Sequence, residues 1–445
     1  MRLNADNRSR WRRNCWLACW FTIGGLILPP MAQARAPADA PIENAAAYLH
    51  RAIETDGRFR YRVHALTGEV GQGRYNVLRH AGSLLALAEY HQVWHPDAEQ
   101  VAAVERGLDF LRRCCLAPAR KGGASGDEHG VQGLAVWSPP DLVGGSRRYP
   151  VAKLGGAGLT LAALAQWRRV RAAAVPLEEM RALARHIVSM QRADGGFQSL
   201  HAHHTGQHDP QWISLYYPGE AALGLILLHG HDPQGGWLAP AVDALRHLAR
   251  QREGMDSPPP DHWALVATAH LFALPKGAVQ AALPEGLVWT SDDEAAGTVR
   301  SWLMTHAQAV ARRMLAEQAA VGQACSKGAF TEDGRTTPTA TRLEGLTAMA
   351  PWWPPGAERD AMTRAVRDGV AFLRAAQWTS GPATGGFSRV APRCYSRGSI
   401  DARAVEVRVD QVQHALAALM GARLMSQALD HPGSPTDVPS AMQGR

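Results

Sequence analysis

Glu220, Glu344 and Asp410 share an unusual setting: each stands in the opening turns of a segment otherwise made of alanine, leucine and glycine. Glu220 follows Tyr216-Tyr217-Pro218-Gly219, Glu344 follows Arg342-Leu343, and Asp410 runs from Arg408-Val409 into Gln411-Val412-Gln413-His414. Other segments of the same kind open with Arg79-His80 and with Asp261-His262-Trp263. Carboxyl groups facing each other across a cavity suit cleavage of a glycosidic bond. One is protonated and donates to the leaving oxygen, while the other is ionised and activates water or attacks the sugar. Tyr217 and Trp263 offer flat apolar faces on which a sugar ring can lie. Arg79, Arg342 and Arg408, with His80, His262 and His414, would orient the sugar or counter an acidic group on it.

Each of these residues also has a plainer use. Glu220 follows a proline in a first helical turn, where an acid gains from the helix dipole. Glu344 is placed to pair with Arg342, and Asp410 to cap its own helix. His414 lies four residues beyond Asp410 on the same face, which would also allow an Asp–His relay. His80 fits a hydrogen-bonded core histidine. What exceeds the plain reading is recurrence at the same point of several segments. The same rim also suits two other chemistries: a lyase with Tyr217, His80 or His414 as base and acid, and an epimerase with paired histidines, an arginine and a glutamate. The expectation is therefore a carbohydrate-active enzyme, a hydrolase with Glu220, Glu344 and Asp410 as its catalytic acids. The alternatives are a polysaccharide lyase or sugar epimerase acting on uronic-acid sugars, and a non-catalytic envelope protein that binds a glycan or a protein. No metal or other cofactor is expected. His201-Ala202-His203-His204 with His208 and Asp209 offers ligand types but no helical i, i+4 pair. The glycine runs near Gly144 and Gly155 lack a phosphate-loop pattern.

Six elements must position this chemistry. The segments beginning at Leu78, Leu154, Tyr217, Asp261, Arg342 and Asp410 are apolar on nearly all sides, which marks helices enclosed by other helices. Amphipathic stretches precede them: Ile42–Glu54, Ala98–Cys115, Leu177–Gln191, Leu238–Glu253, Glu294–Ala319 and Glu358–Gln377. Outer helix followed by inner helix, six times, predicts an all-α fold, an (α/α)6 toroid whose inner N-termini converge on one mouth. Outer helices end in a recurrent turn, as in Gln191-Arg192-Ala193-Asp194-Gly195-Gly196-Phe197 and Gln377 through Gly385-Gly386-Phe387. Glycine there supplies backbone freedom and the aromatic packs back as a plug.

These Phe-Leu…Gln…Gly-Gly-Phe turns resemble the repeats of terpenoid cyclases and protein prenyltransferases. The six-fold alternation is similar to that of the six-hairpin glycosidases and polysaccharide lyases. The likeness runs from about Ile42 to Leu424 and implies the toroid architecture. The Asp-x-Asp-Asp acid of triterpene cyclases and the Asp-x-Cys zinc motif of prenyltransferases are both missing.

Arg2, Arg8, Arg10, Arg12 and Arg13 precede a short apolar run from Cys15 to Leu28, and Ala32-Gln33-Ala34 forms a small-x-small site. Residues 1–34 therefore read as a secretory signal peptide, 35–428 as one toroid domain, and 429–445 as a disordered tail. The expected location is the periplasm or the exterior, with no stable membrane span after cleavage. Loss of that leader lowers the formal charge from +7 to +3, too small a surplus on this chain to argue for nucleic acid. Cys114 and Cys115 are adjacent; Cys325 and Cys394 are either joined or free, as an exported compartment permits both.

Overall fold

In a computed structural model, the described residues are 39–430 without 72–73, 95, 120–132, 145–147, 203–211, 292–296 and 396–400. The leader at 1–34, the tail beyond 430, and His203, His204, His208 and Asp209 lie outside them. The chain winds as six helical hairpins. The first three are α1 (Ala40–Ala52) with α2 (Val77–Val93), α3 (Ala98–Cys114) with α4 (Leu154–Val170), and α5 (Leu177–Ser189) with α6 (Tyr217–His229). The next three are α7 (Leu238–Arg252) with α8 (His262–Phe272), α9 (Val299–Ala319) with α10 (Thr336–Met349), and α11 (Ala357–Ala376) with α12 (Val409–Asp430). Helix α12 runs through Asp430, two residues past the expected end of the domain.

Burial follows the two sequence patterns. Every residue of α4 from Leu154 to Trp167 is buried, as is every residue of α6 from Pro218 to Leu228. Outer α5 buries one stripe, Met180, Leu183, Ala184 and Ile187, and leaves Glu178 exposed. Each even-numbered helix packs on the next, and α12 closes on α2. Small residues permit that closeness: a Cβ on Gly158 would sit 2.6 Å from the Glu220 carbonyl oxygen, and one on Gly224 would sit 2.7 Å from the Gly158 oxygen.

The recurrent turn joins one outer helix to the next. Gln191 Nε2 donates to Gly195 O (2.9 Å) in its own turn and to Pro240 O (2.8 Å) at the start of α7. Gln318 does the same with Gly328 O and Ala365 O, and Gln377 with Gly385 O and Pro41 O. The Gln377 contacts tie α11 to α1 and so close the outer ring. Gly195 (φ +86°) and Gly385 (φ +88°) lie so near neighbouring carbonyls that any side chain would collide, 2.8 Å from Asp243 O and 2.1 Å from Asn44 O. Glycine is required here by both backbone angle and space.

Short strands supplement the helices before the inner N-termini. β1 (Arg62–His64) pairs antiparallel with β6 (Glu406–Arg408), with Arg62 opposite Arg408. β2 (Leu116–Pro118), β3 (Leu134–Ser138), β4 (Val151–Lys153) and β5 (Leu200–Ala202) form a second antiparallel sheet in that order. Cys325 and Cys394 are paired, with Cα atoms 5.1 Å apart, and Cys114 pairs with its neighbour Cys115. No described helix is long and apolar enough to cross a membrane.

Candidate functional site

The inner N-termini surround a cavity of about 490 Å³. Its wall includes Arg79 from α2, Tyr217 and Glu220 from α6, His262 and Trp263 from α8, Arg342 from α10, and Asp410 and His414 from α12, with Arg408 just ahead of α12. Nine of the rim residues named from sequence thus share one hollow. Three others stand behind the wall, for different reasons.

His80 is fully buried: its Nδ1 lies 2.6 Å from Tyr75 Oη and its Nε2 3.0 Å from Gly107 O. Burial lowers its pKa to about 4, so it is a neutral core histidine and makes no contact with the cavity. Asp261 is also fully buried. Its carboxylate accepts from Arg252 Nη2 at 2.7 Å and from the Ala264 N–H at 3.1 Å, so it caps α8 and neutralises an arginine instead of meeting substrate. Glu344 sits behind His414, and its Oε2 lies 2.8 Å from His414 Nδ1 and 3.8 Å from His262 Nε2. Glu344 also borders an apolar chamber on the far side of the cavity floor, whose other walls include Leu85, Val266 and Met420.

Two pairings read from sequence are replaced by others. Arg342 pairs with Glu317 of outer helix α9 at 3.0 Å, which leaves Glu344 for the histidines. Asp410 receives Arg79 at 3.1 Å and Arg408 at 3.2 Å, so the carboxylate behind His414 is Glu344 of the neighbouring helix. Asp410 therefore holds two guanidinium groups in place. Trp137 and Trp353 are buried in the interior, and Trp352 packs on Phe272.

The floor is an aromatic cluster built around two imidazoles. The His262 ring lies 5.1 Å from Tyr216, 5.0 Å from Trp263 and 5.4 Å from His414. Both nitrogens of His262 are buried without a hydrogen-bond partner among the described residues. Desolvation, reinforced by His414 and Arg342, drives its pKa well down and keeps it neutral. The Glu344 contact places a proton on His414 Nδ1 and leaves Nε2 as the basic nitrogen. One ligand atom each from His262, Glu344 and His414 falls within a 4.8 Å group, a His₂Glu set of the kind zinc accepts. These three could hold a transition metal, which the sequence did not signal because they belong to three different helices.

Glu220 is buried, and its Oε2 has no partner among the described residues. Burial, with repulsion from Asp261 and Glu344, pushes its pKa up to about 8. It therefore stands as a neutral acid at pH 7. Between the ordinary value of 4.5 and about 8, the unfolded chain has lost this proton while the native protein keeps it, so stability falls as pH rises through that window. Glu220→Gln cannot ionise and should flatten this dependence. Its melting temperature relative to wild type should be higher at pH 8 than at pH 5, and an equal difference at both would refute the assignment.

Arg335 and Arg389 also line the cavity, and sequence reasoning missed both because they lie in irregular segments outside the repeat. Arg335 is held by Asp333 at 2.9 Å, whereas Arg389 has no ion-pair partner among the described residues. The lining thus carries arginines at 79, 335, 342, 389 and 408 against two carboxyl groups, Asp410, which pairs with Arg79 and Arg408, and Glu220, which is held neutral.

No family model and no curated protein matches the chain in sequence. Solved structures do match over nearly its whole length. A D-mannose isomerase aligns with a TM-score of 0.57 at 11% identity, over 88% of this chain and 97% of its own. Cellobiose 2-epimerase from Bacillus thermoamylovorans B4167 aligns at 0.56 and 11%, over 86% and 98%. An unsaturated glucuronyl hydrolase specific for heparin aligns at 0.54 and 10%, over 88% and 98%. The chain therefore has the α/α-toroid fold of six hairpins; at these identities the likeness is one of architecture.

Proposed function

We propose that this protein is an exported sugar isomerase, which moves a proton next to a carbonyl in the open-chain form of a reducing sugar. The observation that carries this reading is the floor of the cavity: His414 backed by Glu344 at 2.8 Å, beside a neutral His262 whose nitrogens are uncommitted. His414 Nε2 takes the proton from C2 of the aldose, and Glu344 stabilises the imidazolium that forms. The electron pair moves into a C1–C2 double bond and the charge onto O1. A neutral imidazole is the right partner for that oxygen, because it can give a proton to O1 and recover one from O2. His414 then returns its proton to C1 and the carbonyl stands at C2. Delivery back to C2 on the opposite face would give the 2-epimer instead. The arginines of the wall stabilise the charge on the enediolate oxygens, and the acid O–H of Glu220 can donate to a sugar oxygen. The solved structures that share the fold include a D-mannose isomerase and a cellobiose 2-epimerase, which supports a sugar substrate. Export is supported by the leader pattern and agrees with the paired Cys325 and Cys394.

The test is incubation of the mature chain with aldoses, ketoses and their uronates in D₂O, followed by proton NMR. Aldose–ketose interconversion, with deuterium entering at C1 or C2, is the expected result. One observation favours hydrolysis as a second reading: Glu220 is held protonated near neutral pH, as a glycosidase acid must be. Release of new reducing ends from a glycoside, without deuterium exchange in any reducing sugar, would establish that reading and remove the isomerase.

A further inference from the structure

Beside the mouth cavity, and sharing Asn76 and Arg79 with it, lies a second hollow of about 420 Å³. Arg62 from β1, Arg74 and Tyr75 from the segment before α2, Arg79 from α2 and Lys153 from β4 line it. Among the described residues that line it there are four basic groups and no carboxylate. Arg62 is partly neutralised by Glu406 at 3.2 Å, but its Nε is buried without a partner. Arg79 shares Asp410 with Arg408. Arg74 is exposed and has no ion-pair partner among the described residues. Its stem lies against the Gly144 turn (φ +65°), where an added Cβ would come 3.2 Å from Arg74 Cγ.

A concave wall with a surplus of one charge focuses its field and draws in an anion. Guanidinium groups add directional paired hydrogen bonds suited to carboxylate or sulfate. The hollow is nearly as large as the mouth cavity, and the two meet at Asn76 and Arg79, so a molecule filling one reaches the wall of the other. We infer that the second hollow is a sugar subsite for an acidic residue, a uronate or sulfated sugar, joined by a glycosidic bond to the reducing sugar that reacts at His414. The inference rests on the isomerase reading for the identity of the reacting end only. It makes the natural substrate an acidic oligosaccharide instead of a free monosaccharide.

The experiment compares three probes: a disaccharide of glucuronic acid linked to a reducing glucose, neutral cellobiose, and free glucuronate. Binding is read by calorimetry and turnover by NMR, for wild type and for the double variant Arg74→Gln/Lys153→Gln. The acidic disaccharide should bind wild type about tenfold or more tightly than cellobiose, the scale of one or two charge-assisted hydrogen bonds. That advantage should vanish in the double variant and shrink in 0.5 M salt, while the affinity for cellobiose stays the same. Equal binding of acidic and neutral disaccharides to wild type, or a preference that survives in the double variant, would overturn the subsite. Free glucuronate binding as tightly as the linked form would overturn the oligosaccharide assignment. A charge preference seen by calorimetry without any turnover would uphold the subsite and discard the isomerase reading instead.

Discussion

Replacing His414 with asparagine should lower kcat by about 10²–10⁴-fold, the usual contribution of a positioned general base. The fold should survive. His414 is part-exposed, its side chain meets Glu344, Gln413 and the rings of His262 and Trp263, and the change leaves untouched the buried residues of α10 and α12 such as Leu343, Leu346, Val412 and Leu416. Far-ultraviolet circular dichroism and the melting temperature should therefore stay near wild type while deuterium exchange into substrate disappears. Glu344→Gln should reduce kcat less and leave KM nearly unchanged, because that carboxylate acts through the imidazole as a positioning group. Its effect should depend on pH, since the amide cannot balance an imidazolium. If His414→Asn retained the wild-type exchange rate, proton transfer would have to be assigned elsewhere in the cavity.

Replacing Asp261 with alanine should be the most destabilising change near the site, at about 3–5 kcal/mol. It would strand the Arg252 guanidinium, whose side chain is 5% exposed, with His306 Nε2 at 3.3 Å as its remaining hydrogen-bond contact among the described residues. It would also remove the cap of α8, worth about 1 kcal/mol. Burial pushes the Asp261 carboxyl upward while Arg252 and the backbone N–H groups pull it down, so the pair stands or falls together. The double change Arg252→Met/Asp261→Asn removes both charges and should recover most of the loss in urea unfolding. A single Asp261→Ala variant as stable as wild type would return Asp261 to the list of substrate contacts. Under the arrangement described, KM of the folded fraction should be unaffected.

The chemistry at the rim was only half visible before the chain was folded. Arg79, Tyr217, Glu220, His262, Trp263, Arg342, Arg408, Asp410 and His414 do meet, as expected from their shared position at inner-helix N-termini. His80 and Asp261 sit at equivalent sequence positions yet turn into the wall, toward Gly107 and Arg252. A shift of one residue along a helix rotates a side chain by about 100°, and the sequence does not say which direction is inward for a helix apolar on every side. Arg74 and Arg389 carried no signal at all, since neither belongs to a repeated element.

What the sequence determined by itself is the architecture, six outer and six inner helices with polar groups gathered at one end, and the Gln-to-Gly turns that link them. Those features depend on residues three to seven apart, where helical period, capping and backbone freedom act locally. Only the tertiary structure decided which charge meets which. His414 found Glu344 at a separation of 70 residues instead of Asp410 at four, and Arg342 found Glu317 instead of Glu344. Such pairings are set by how neighbouring helices are rotated against each other, and that rotation is fixed by close packing around the ring, with Gly158 against Glu220 and Gly345 against His262.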